Sequence, residues 1–374
     1  MNITVIQRYW GKARKLKALE GDEYHLLSFH SLDVVSVAAY WWDHSPGLRH
    51  LFCIHQNRNE REVRAWVLFF VALHDLGKFD IRFQYKSPQT WLSLNPEDKQ
   101  PRLPSIKECQ SYDHGATGLY WFINDYQPES SEDDDDFEFT DTVHLYQNWF
   151  SWIEAVCGHH GVIRQKKDVI HCVDYPLPFL LRHHAARDKQ ARLAWLDIAA
   201  ELFLSPVGLS LQDTPPDCSV LMAGFCSIAD WLGSWSTGDT FNYRAAAVSD
   251  VAELRAYFEQ RYQEDAMRKA LYIFAEGIKE NDIKGAGIPV HEKGEREYYR
   301  QSDLLIPNLL ASIDFTQADE YLEQLKKSLN NLCINLFKQM TAPYRHHPKL
   351  VKALAIARRS LHKQLTALSQ PQGE

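Results

Sequence analysis

An adjacent histidine and aspartate interrupt an apolar segment and constrain this fold more than any other feature. His74 and Asp75 directly follow the apolar run 69–73, and Lys78 comes three residues after Asp75. Imidazole and carboxylate ligands together suit a divalent transition metal. A His-Asp pair is common on its own, so the case for a metal site here depends on further residues of the same kind. Asp230 is one of them, because a carboxylate in an apolar helix must be paired, hydrogen-bonded or metal-bound to offset its desolvation.

Further side chains of the same chemical kind recur in apolar or small-residue surroundings. They are His30, His114, His159, His160 and Asp230. Considered singly, His30 and His114 are more often satisfied, partly buried histidines, whereas a histidine doublet between two glycines is unusual. The small residues after His114 allow another backbone or a substrate to come close. Together with His74 and Asp75 these side chains provide seven ligands, which is enough for two metals.

Asp75 is the residue best suited to bridge two cations. Its two carboxylate oxygens can hold metals at the roughly 3.5–4 Å separation used in two-metal hydrolysis. If this segment is helical, His74 and Asp75 point about 100° apart, so the site must lie near a helix end. Gly77 supplies such a break. Lys78 would share a helical face with both residues, where its ammonium could stabilise a phosphate.

Apolar residues at helical spacing predict a mainly α fold with a helical bundle. The segments with this spacing are 24–45, 61–77, 115–125, 146–158 and 219–235. Little of the alternation expected of strands is present. Ser87 to Pro104 and Gln127 to Asp141 are predicted to be irregular, and the second contains an acidic run that favours a solvated loop.

Composition sets the broad class of protein. The chain has 374 residues, 45% of them apolar, and a net charge of −8, which argues against a basic protein that coats DNA. A nuclease can nevertheless confine positive potential to one groove, with bound cations supplying the rest. Seven scattered cysteines without a CxxC pair argue against disulfides or a thiolate zinc site. With no export signal or membrane span in the sequence, we expect a cytoplasmic protein.

The sequence divides into three predicted regions. Residues 1–265 carry all seven candidate ligands, 266–294 form a glycine-rich linker or long loop, and 295–374 read as three amphipathic helices in a small bundle. His346 and His347 in that bundle are expected to be surface residues. No phosphate-cradling GxxxxGK[ST] motif occurs, so we expect no ATP site in this chain.

The order of these elements resembles the HD-domain nuclease of type I CRISPR systems, particularly the N-terminal HD domain of the type I-E nuclease-helicase. The strings that carry the resemblance are "HSLDVVSVAAYWW", "LFFVALHDLGKFDIRFQYKS", "HGATGLYWF", "EAVCGHHG" and "SPVGLSLQDTPPDCSVLMAGFCSIADWLGSW". The strings lie between residues 30 and 235, and the resemblance as a whole covers roughly residues 8 to 262. The resemblance implies an HD-domain helical bundle with a C-terminal helical extension.

The resemblance also implies how the ligands divide between two metals. One metal would be held by His30, His74, Asp75 and Asp230. The second would be held by His114, His159 and His160, with Asp75 between the two. Lys78 would contact the phosphate. The histidine-rich set independently favours manganese, iron, cobalt or nickel over magnesium, which prefers oxygen ligands.

The implied function is CRISPR type I interference by a metal-dependent endo/exonuclease. The enzyme would degrade single-stranded DNA displaced by an RNA-guided surveillance complex, through attack of a water activated by two metals. The motor domains of the family's nuclease-helicases have no match in this sequence. Either a separately encoded helicase is a partner, or the protein lacks processive unwinding and nicks or trims DNA locally. Residues 295–374 faintly resemble a surveillance-complex bundle ("EYYRQSDLLIPNLL") and could dock there. The alternatives are a nucleotide phosphohydrolase and an inactive adaptor.

Overall fold

The computed structural model describes part of the chain, and every structural statement below concerns that part. The described residues are 3–14, 21–53, 56, 58–98, 109, 111–126, 149–160, 162–169, 176–236 and 241–264. The acidic run near residue 134, the linker 266–294 and the bundle 295–374 lie outside these residues. The predicted boundary at residue 265 and the docking role of the C-terminal bundle therefore stay predictions.

The described chain is mainly helical, as the periodicity predicts. Its α-helices are α1 (Ile3–Ile6), α2 (Leu27–His44), α3 (Pro46–Cys53), α4 (Glu60–Ala72), α5 (Ile81–Gln84), α6 (Pro88–Leu94), α7 (His114–Asp125), α8 (Phe150–Cys157), α9 (Lys166–Val169), α10 (Ala185–Ala199), α11 (Met222–Gly233) and α12 (Val251–Gln263). Short 3-10 turns occupy Leu76–Lys78, Pro96–Asp98, Phe179–His184 and Ser205–Val207, and a π-helical turn occupies Ala200–Leu204. None of the described helices is long and apolar enough to cross a membrane.

Two elements differ from the sequence expectation. A two-stranded antiparallel sheet, β1 (Trp10–Ala13) and β2 (Tyr24–Leu26), precedes α2, although the sequence shows no clear alternation there. Strands this short are set by pairing rather than by periodicity. The stretch predicted as irregular from residue 87 contains α6, which begins with Pro88 at its first helical position, where proline is favoured.

Helix α2 forms the centre of the fold. Fifteen of its 18 residues are buried, and it packs against α4, α11, α12 and β1. A helix that is buried nearly all round must satisfy its polar residues inside the protein. Asp33 does so through His25 Nε2 at 2.8 Å and the hydroxyl of Tyr257 at 2.8 Å. His30, the fourth residue of α2, belongs to the cluster described below.

The predicted helix 61–77 ends five residues early, at Ala72. The N–H of Leu73 bonds to the carbonyl of Phe70, and the chain then turns before tightening into the 3-10 turn. His74 and Asp75 therefore lie in a turn after a helix end rather than on a helical face. These two adjacent side chains can reach one site because the turn frees them from the 100° offset of neighbouring residues on a helix.

Glycines allow three backbone segments to meet behind this turn. A Cβ on Gly77 would lie 1.9 Å from the carbonyl oxygen of His114, and a Cβ on Gly115 would lie 2.4 Å from the carbonyl oxygen of Cys157. Only glycine permits backbones to approach so closely. The expectation that small residues after His114 admit another backbone is confirmed. These contacts bring the 3-10 turn, α7 and the end of α8 together.

A buried polar network fastens α10 to the segment after the 3-10 turn. Asp188 accepts hydrogen bonds from the hydroxyl of Tyr9 at 2.6 Å and the N–H of Ile81 at 3.0 Å. Arg192 donates to Asp125 at 2.5 Å and to the carbonyl of Phe79 at 2.8 Å. Buried polar groups left without partners would lower the stability of the fold. Because the groups named here are paired, the network holds the segment after the 3-10 turn in one position.

Gly77→Ala should destabilise the protein strongly because its methyl group would overlap the carbonyl of His114. We expect the free energy of unfolding to fall by at least about 3 kcal/mol. Gly208→Ala is the control, since nothing lies within 4 Å of its Cβ position and only its left-handed φ of 78° opposes the change, costing about 1–2 kcal/mol. Urea denaturation of both variants measures the difference, and equal losses would contradict the close approach at Gly77.

Asp188 should make stability depend on pH. Burial and the nearby charge of Asp80 raise the pKa of Asp188 to about 7, whereas an unfolded aspartate releases its proton at about pH 3.9. The folded state binds more protons between these values, so this group's contribution to stability falls as pH rises from about 4 to 7. Unfolding free energies of Asp188→Asn should show a shallower fall over this range. An unchanged slope would contradict a protonated Asp188.

Candidate metal centre

The seven candidate ligands come from five separate parts of the fold and meet in one cluster. His30 lies in the first turn of α2, and Asp230 lies inside α11. The other five lie at or just beyond helix ends. His74 and Asp75 follow α4, His114 begins α7, and His159 and His160 follow α8. The structure thus brings together every metal ligand named from the sequence.

Asp75 lies at the middle of the cluster. Its Oδ2 atom is 3.0 Å from Nε2 of His30 and 3.2 Å from Nε2 of His74. Its Oδ1 atom is 3.3 Å from Nε2 of His114 and 3.7 Å from Nε2 of His159. The two carboxylate oxygens therefore face two different pairs of imidazoles, which is the arrangement that a bridging carboxylate needs.

Asp230 lies beside the pair of imidazoles at Oδ2 of Asp75, and His160 lies beside the pair at Oδ1. Asp230 Oδ1 is 3.4 Å from Nε2 of His30 and 3.6 Å from Nε2 of His74. Nε2 of His160 is 2.8 Å from Nε2 of His114.

Three groups of side chains place potential ligand atoms within 4.8 Å of one another. They are His30 with His74 and Asp75, His114 with His159 and His160, and His74 with His159 and Asp230. The first two groups correspond to the two metals implied by the resemblance. The third group spans both sides, because Asp230 lies within reach of His159 as well as His74.

Main-chain hydrogen bonds fix two of the rings. Nδ1 of His74 lies 2.9 Å from the carbonyl oxygen of Val71, and Nδ1 of His159 lies 2.7 Å from that of Val156. Each carbonyl belongs to the last turn of a helix and also accepts the main-chain N–H of the same histidine. Because Nδ1 donates its proton there, each ring turns Nε2 towards the cluster, where this nitrogen can bind a metal once it carries no proton.

Several buried ligand atoms of the cluster make no hydrogen bond with the residues that the structure describes, although Lys78 forms an ion pair with Oδ2 of Asp75. Nε2 of His30, His74 and His159 and both oxygens of Asp75 are buried without a hydrogen bond of acceptable geometry. Buried polar groups are almost always hydrogen-bonded or bound to an ion. Several such atoms lie close together and face one another, which is the arrangement expected where a divalent cation binds. The residues of the cluster therefore fit such a cation.

The charge states suit metal binding. Burial lowers the pKa of His114 to about 4 and holds the pKa of His159 well below its usual value, so both rings are neutral near pH 7. Burial opposes ionisation of Asp75, but the positive charge of Lys78 holds the pKa of Asp75 well below its usual value. Neutral imidazoles and an ionised carboxylate are the forms that coordinate metals.

His74 differs from the other rings. Burial opposes its protonation, but the negative charge of Asp75 and the contact with Asp230 raise the pKa of His74 to about 9. A cation binding at this ring would have to displace its proton. Metal uptake at this part of the cluster is therefore coupled to proton release.

Lys78 reaches the cluster through the 3-10 turn rather than along an α-helix. Its Nζ atom is 2.5 Å from Oδ2 of Asp75, 3.4 Å from the carbonyl oxygen of Gly11 and 5.2 Å from the centre of the Phe83 ring. Its side chain is only 5% exposed. The contact seen is with the carboxylate, and the phosphate contact implied by the resemblance stays a prediction.

Two neighbours of the cluster were not identified from the sequence. The Phe83 ring packs edge-on against His114, with 5.3 Å between ring centres. Lys12, on β1, carries a positive charge that acts on His30 and Asp230. No spacing signal could have identified Lys12, because only the pairing of β1 with β2 places it there.

Trp152 is core rather than an exposed platform for bases. It is buried, and its indole N–H donates to the carbonyl of Pro216 at 2.8 Å.

The family model described as "Cas3, HD domain" matches residues 10–237 of this sequence. This match covers more than half of the chain and all seven candidate ligands. The chain belongs to the Cas3 HD domain family. The resemblance inferred from the sequence motifs is thereby confirmed, as is the mainly α fold.

A known relative agrees with this membership. The CRISPR-associated endonuclease/helicase Cas3 of Escherichia coli (strain K12) is 50% identical over 264 residues, which are 70% of this chain and 29% of that protein. The chain thus spans less than a third of that relative's length. A solved structure titled "Crystal structure of CRISPR-associated protein" shares the fold, with a TM-score of 0.52 and 16% identity over 87% of this chain and 37% of that one. T. fusca Cas3-ADP gives a TM-score of 0.47 and 19% identity, covering 86% and 37%.

Removing the central carboxylate should release metal. We expect Asp75→Ala to bind manganese, cobalt or nickel more than about 10-fold more weakly, since loss of an outer-shell partner alone costs that much. Elemental analysis after equilibration with each metal measures the occupancy. Asp188→Asn is the matched control, because Asp188 is equally buried but bonds to Tyr9 and Ile81 instead of the cluster. Equal metal content in both variants would rule out the proposed centre.

Proposed function

We propose that this protein is a metal-dependent nuclease that hydrolyses the phosphodiester bonds of single-stranded DNA. The observation that carries the proposal is Asp75, whose Oδ2 faces the imidazoles of His30 and His74 and whose Oδ1 faces those of His114 and His159. The name of the E. coli relative, an endonuclease/helicase, supports a nuclease reaction at this centre.

The proposed ligands divide as the resemblance implies. His30, His74, Asp75 and Asp230 would hold one cation, and His114, His159, His160 and Asp75 the other. When bound, two such cations activate a water for in-line attack and stabilise charge on the phosphate oxygens. Five imidazoles against two carboxylates favour manganese, iron, cobalt or nickel over magnesium.

The protein's own residues provide an environment suited to an anionic substrate. Five of the seven ligands are histidines, which add no negative charge when neutral. The two carboxylates, Asp75 and Asp230, cannot neutralise two divalent cations, and Lys78 adds a positive charge beside Asp75. A phosphate would therefore be attracted to the centre although the whole chain carries a net charge of −8. Lys78 also keeps Asp75 ionised, which preserves its ability to bridge.

We further propose that the DNA strand reaches this centre from an RNA-guided surveillance complex. The E. coli relative combines endonuclease and helicase in one protein, and this chain corresponds to 29% of its length. A helicase outside residues 1–374 would then unwind the duplex and feed the strand to the centre. The cytoplasm is the compartment in which these partners would meet the protein.

Cleavage of circular single-stranded DNA tests the proposal. We expect nicking and then degradation with manganese, cobalt or nickel, and none with a chelator. Asp75→Ala and His114→Ala should each lose at least about 100-fold in rate, since each loses a metal ligand and with it several kcal/mol of transition-state stabilisation. Asp188→Asn should stay close to the wild-type rate.

Three outcomes would overturn the DNA nuclease proposal. Activity that survives Asp75→Ala would show that the cluster is not the active site. Phosphate release from mononucleotides with intact DNA would instead indicate a nucleotide phosphohydrolase. Co-purification with the surveillance complex, together with absence of bound metal in the purified protein, would indicate an adaptor without catalysis.

A further inference from the structure

A second lysine lies beside the metal centre on a different element from Lys78. Lys12 belongs to β1, which pairs with β2 in a register that shifts between Trp10 and Lys12. Such an irregularity redirects side chains and is common next to active sites. Lys12 is half-buried rather than fully enclosed.

The backbone just before Lys12 touches the cluster. A Cβ on Gly11 would lie 2.9 Å from Cβ of His30 and 3.3 Å from Cδ2 of its ring. The carbonyl oxygen of Gly11 is 3.4 Å from Nζ of Lys78. The absence of a side chain at Gly11 lets β1 lie directly against these two residues, so the next residue, Lys12, begins at the edge of the centre.

The charge of Lys12 acts on several groups of the cluster. Lys12 is the leading positive charge acting on Asp230 and on His30. The positive charge of Lys12 also acts on His160 and Lys78. Residues on both sides of the cluster are therefore within electrostatic range of Lys12.

Lys12 and Lys78 differ in how their ammonium groups are used. Nζ of Lys78 is buried and held at 2.5 Å from Asp75 Oδ2. Among the residues that the structure describes, no hydrogen bond or ion pair is found for the Lys12 side chain. A lysine that is already paired and buried must give up that contact to bind a ligand. Lys12 has no such contact to lose within the described chain, and part of it is exposed to solvent.

We propose that Lys12 contacts a phosphate of the DNA strand at the metal centre, while Lys78 serves mainly to hold Asp75. The proposal rests on the nuclease function proposed above and names one of the residues that bind its substrate. An ammonium is a compact point charge that suits a phosphate oxygen and carries no preference for base sequence. Lys12 would thus position the strand in the same way for any sequence.

Binding of a labelled single strand with phosphorothioate linkages tests this role in the metal-loaded protein. Lys12→Met should weaken binding roughly 10-fold, as expected for loss of one hydrogen bond to a charged group. The slope of log affinity against log salt should fall in magnitude by about 0.7, the value for one phosphate contact on a single strand. Lys12→Arg should restore most of the affinity because it keeps the charge.

Two further measurements separate this role from a structural one. Lys12→Met should raise KM for DNA cleavage more than it lowers kcat, and its metal content should equal that of the wild type. Lys189→Met is the matched control, since Lys189 is an exposed lysine on α10 with no part in the cluster. It should leave affinity, salt slope and KM unchanged.

The possible failures can be told apart. If the wild type neither binds nor cuts single-stranded DNA, the proposed function itself fails. If the wild type does both and Lys12→Met matches Lys189→Met in affinity and salt slope, only the role of Lys12 fails. Loss of metal from Lys12→Met would also overturn it, because the residue would then act on the centre rather than on DNA.

Discussion

An ionised carboxylate enclosed by imidazoles is the interaction on which the rest of this structure depends. Asp75 is 2% exposed and lies within 4 Å of four histidine nitrogens and one ammonium. Burying such a charge is favourable only when its partners are fixed around it. The three-way backbone contact at Gly77, Gly115 and Cys157 brings those partners close. The close backbone contacts at these glycines thus allow a charged carboxylate and its imidazole partners to be buried together.

The need to fix partners around Asp75 also explains where the ligands lie on the helices. Most of the ligands lie at or just beyond helix ends, where the chain changes direction and adjacent residues can face one point. His30 and Asp230 instead lie within helices that pack against each other. Ligands at helix ends can turn towards a common point, whereas ligands inside the buried helices are held rigidly by packing. Together they hold side chains that are distant in sequence within 4 Å of Asp75.

The sequence predicted the helical class, the main helices and the residues of the cluster, because apolar periodicity and buried polar residues are local signals. The motif context of His74 and Asp75 also predicted the family correctly. The end of α4 at Ala72 was missed, since apolar residues continue beyond the last helical turn. The strand β1, and with it the position of Lys12, was also missed. Both depend on contacts with residues far away in the chain, which a single sequence does not display.

The anchoring of the His74 and His159 rings has an evolutionary consequence. Each Nδ1 proton goes to a main-chain carbonyl, that of Val71 or Val156, and not to a neighbouring side chain. The orientation of the rings is therefore encoded by helix geometry. Positions 71 and 156 are free to drift among residues that preserve the helix and its packing. Relatives can diverge widely around such a centre and still present the same nitrogen atoms.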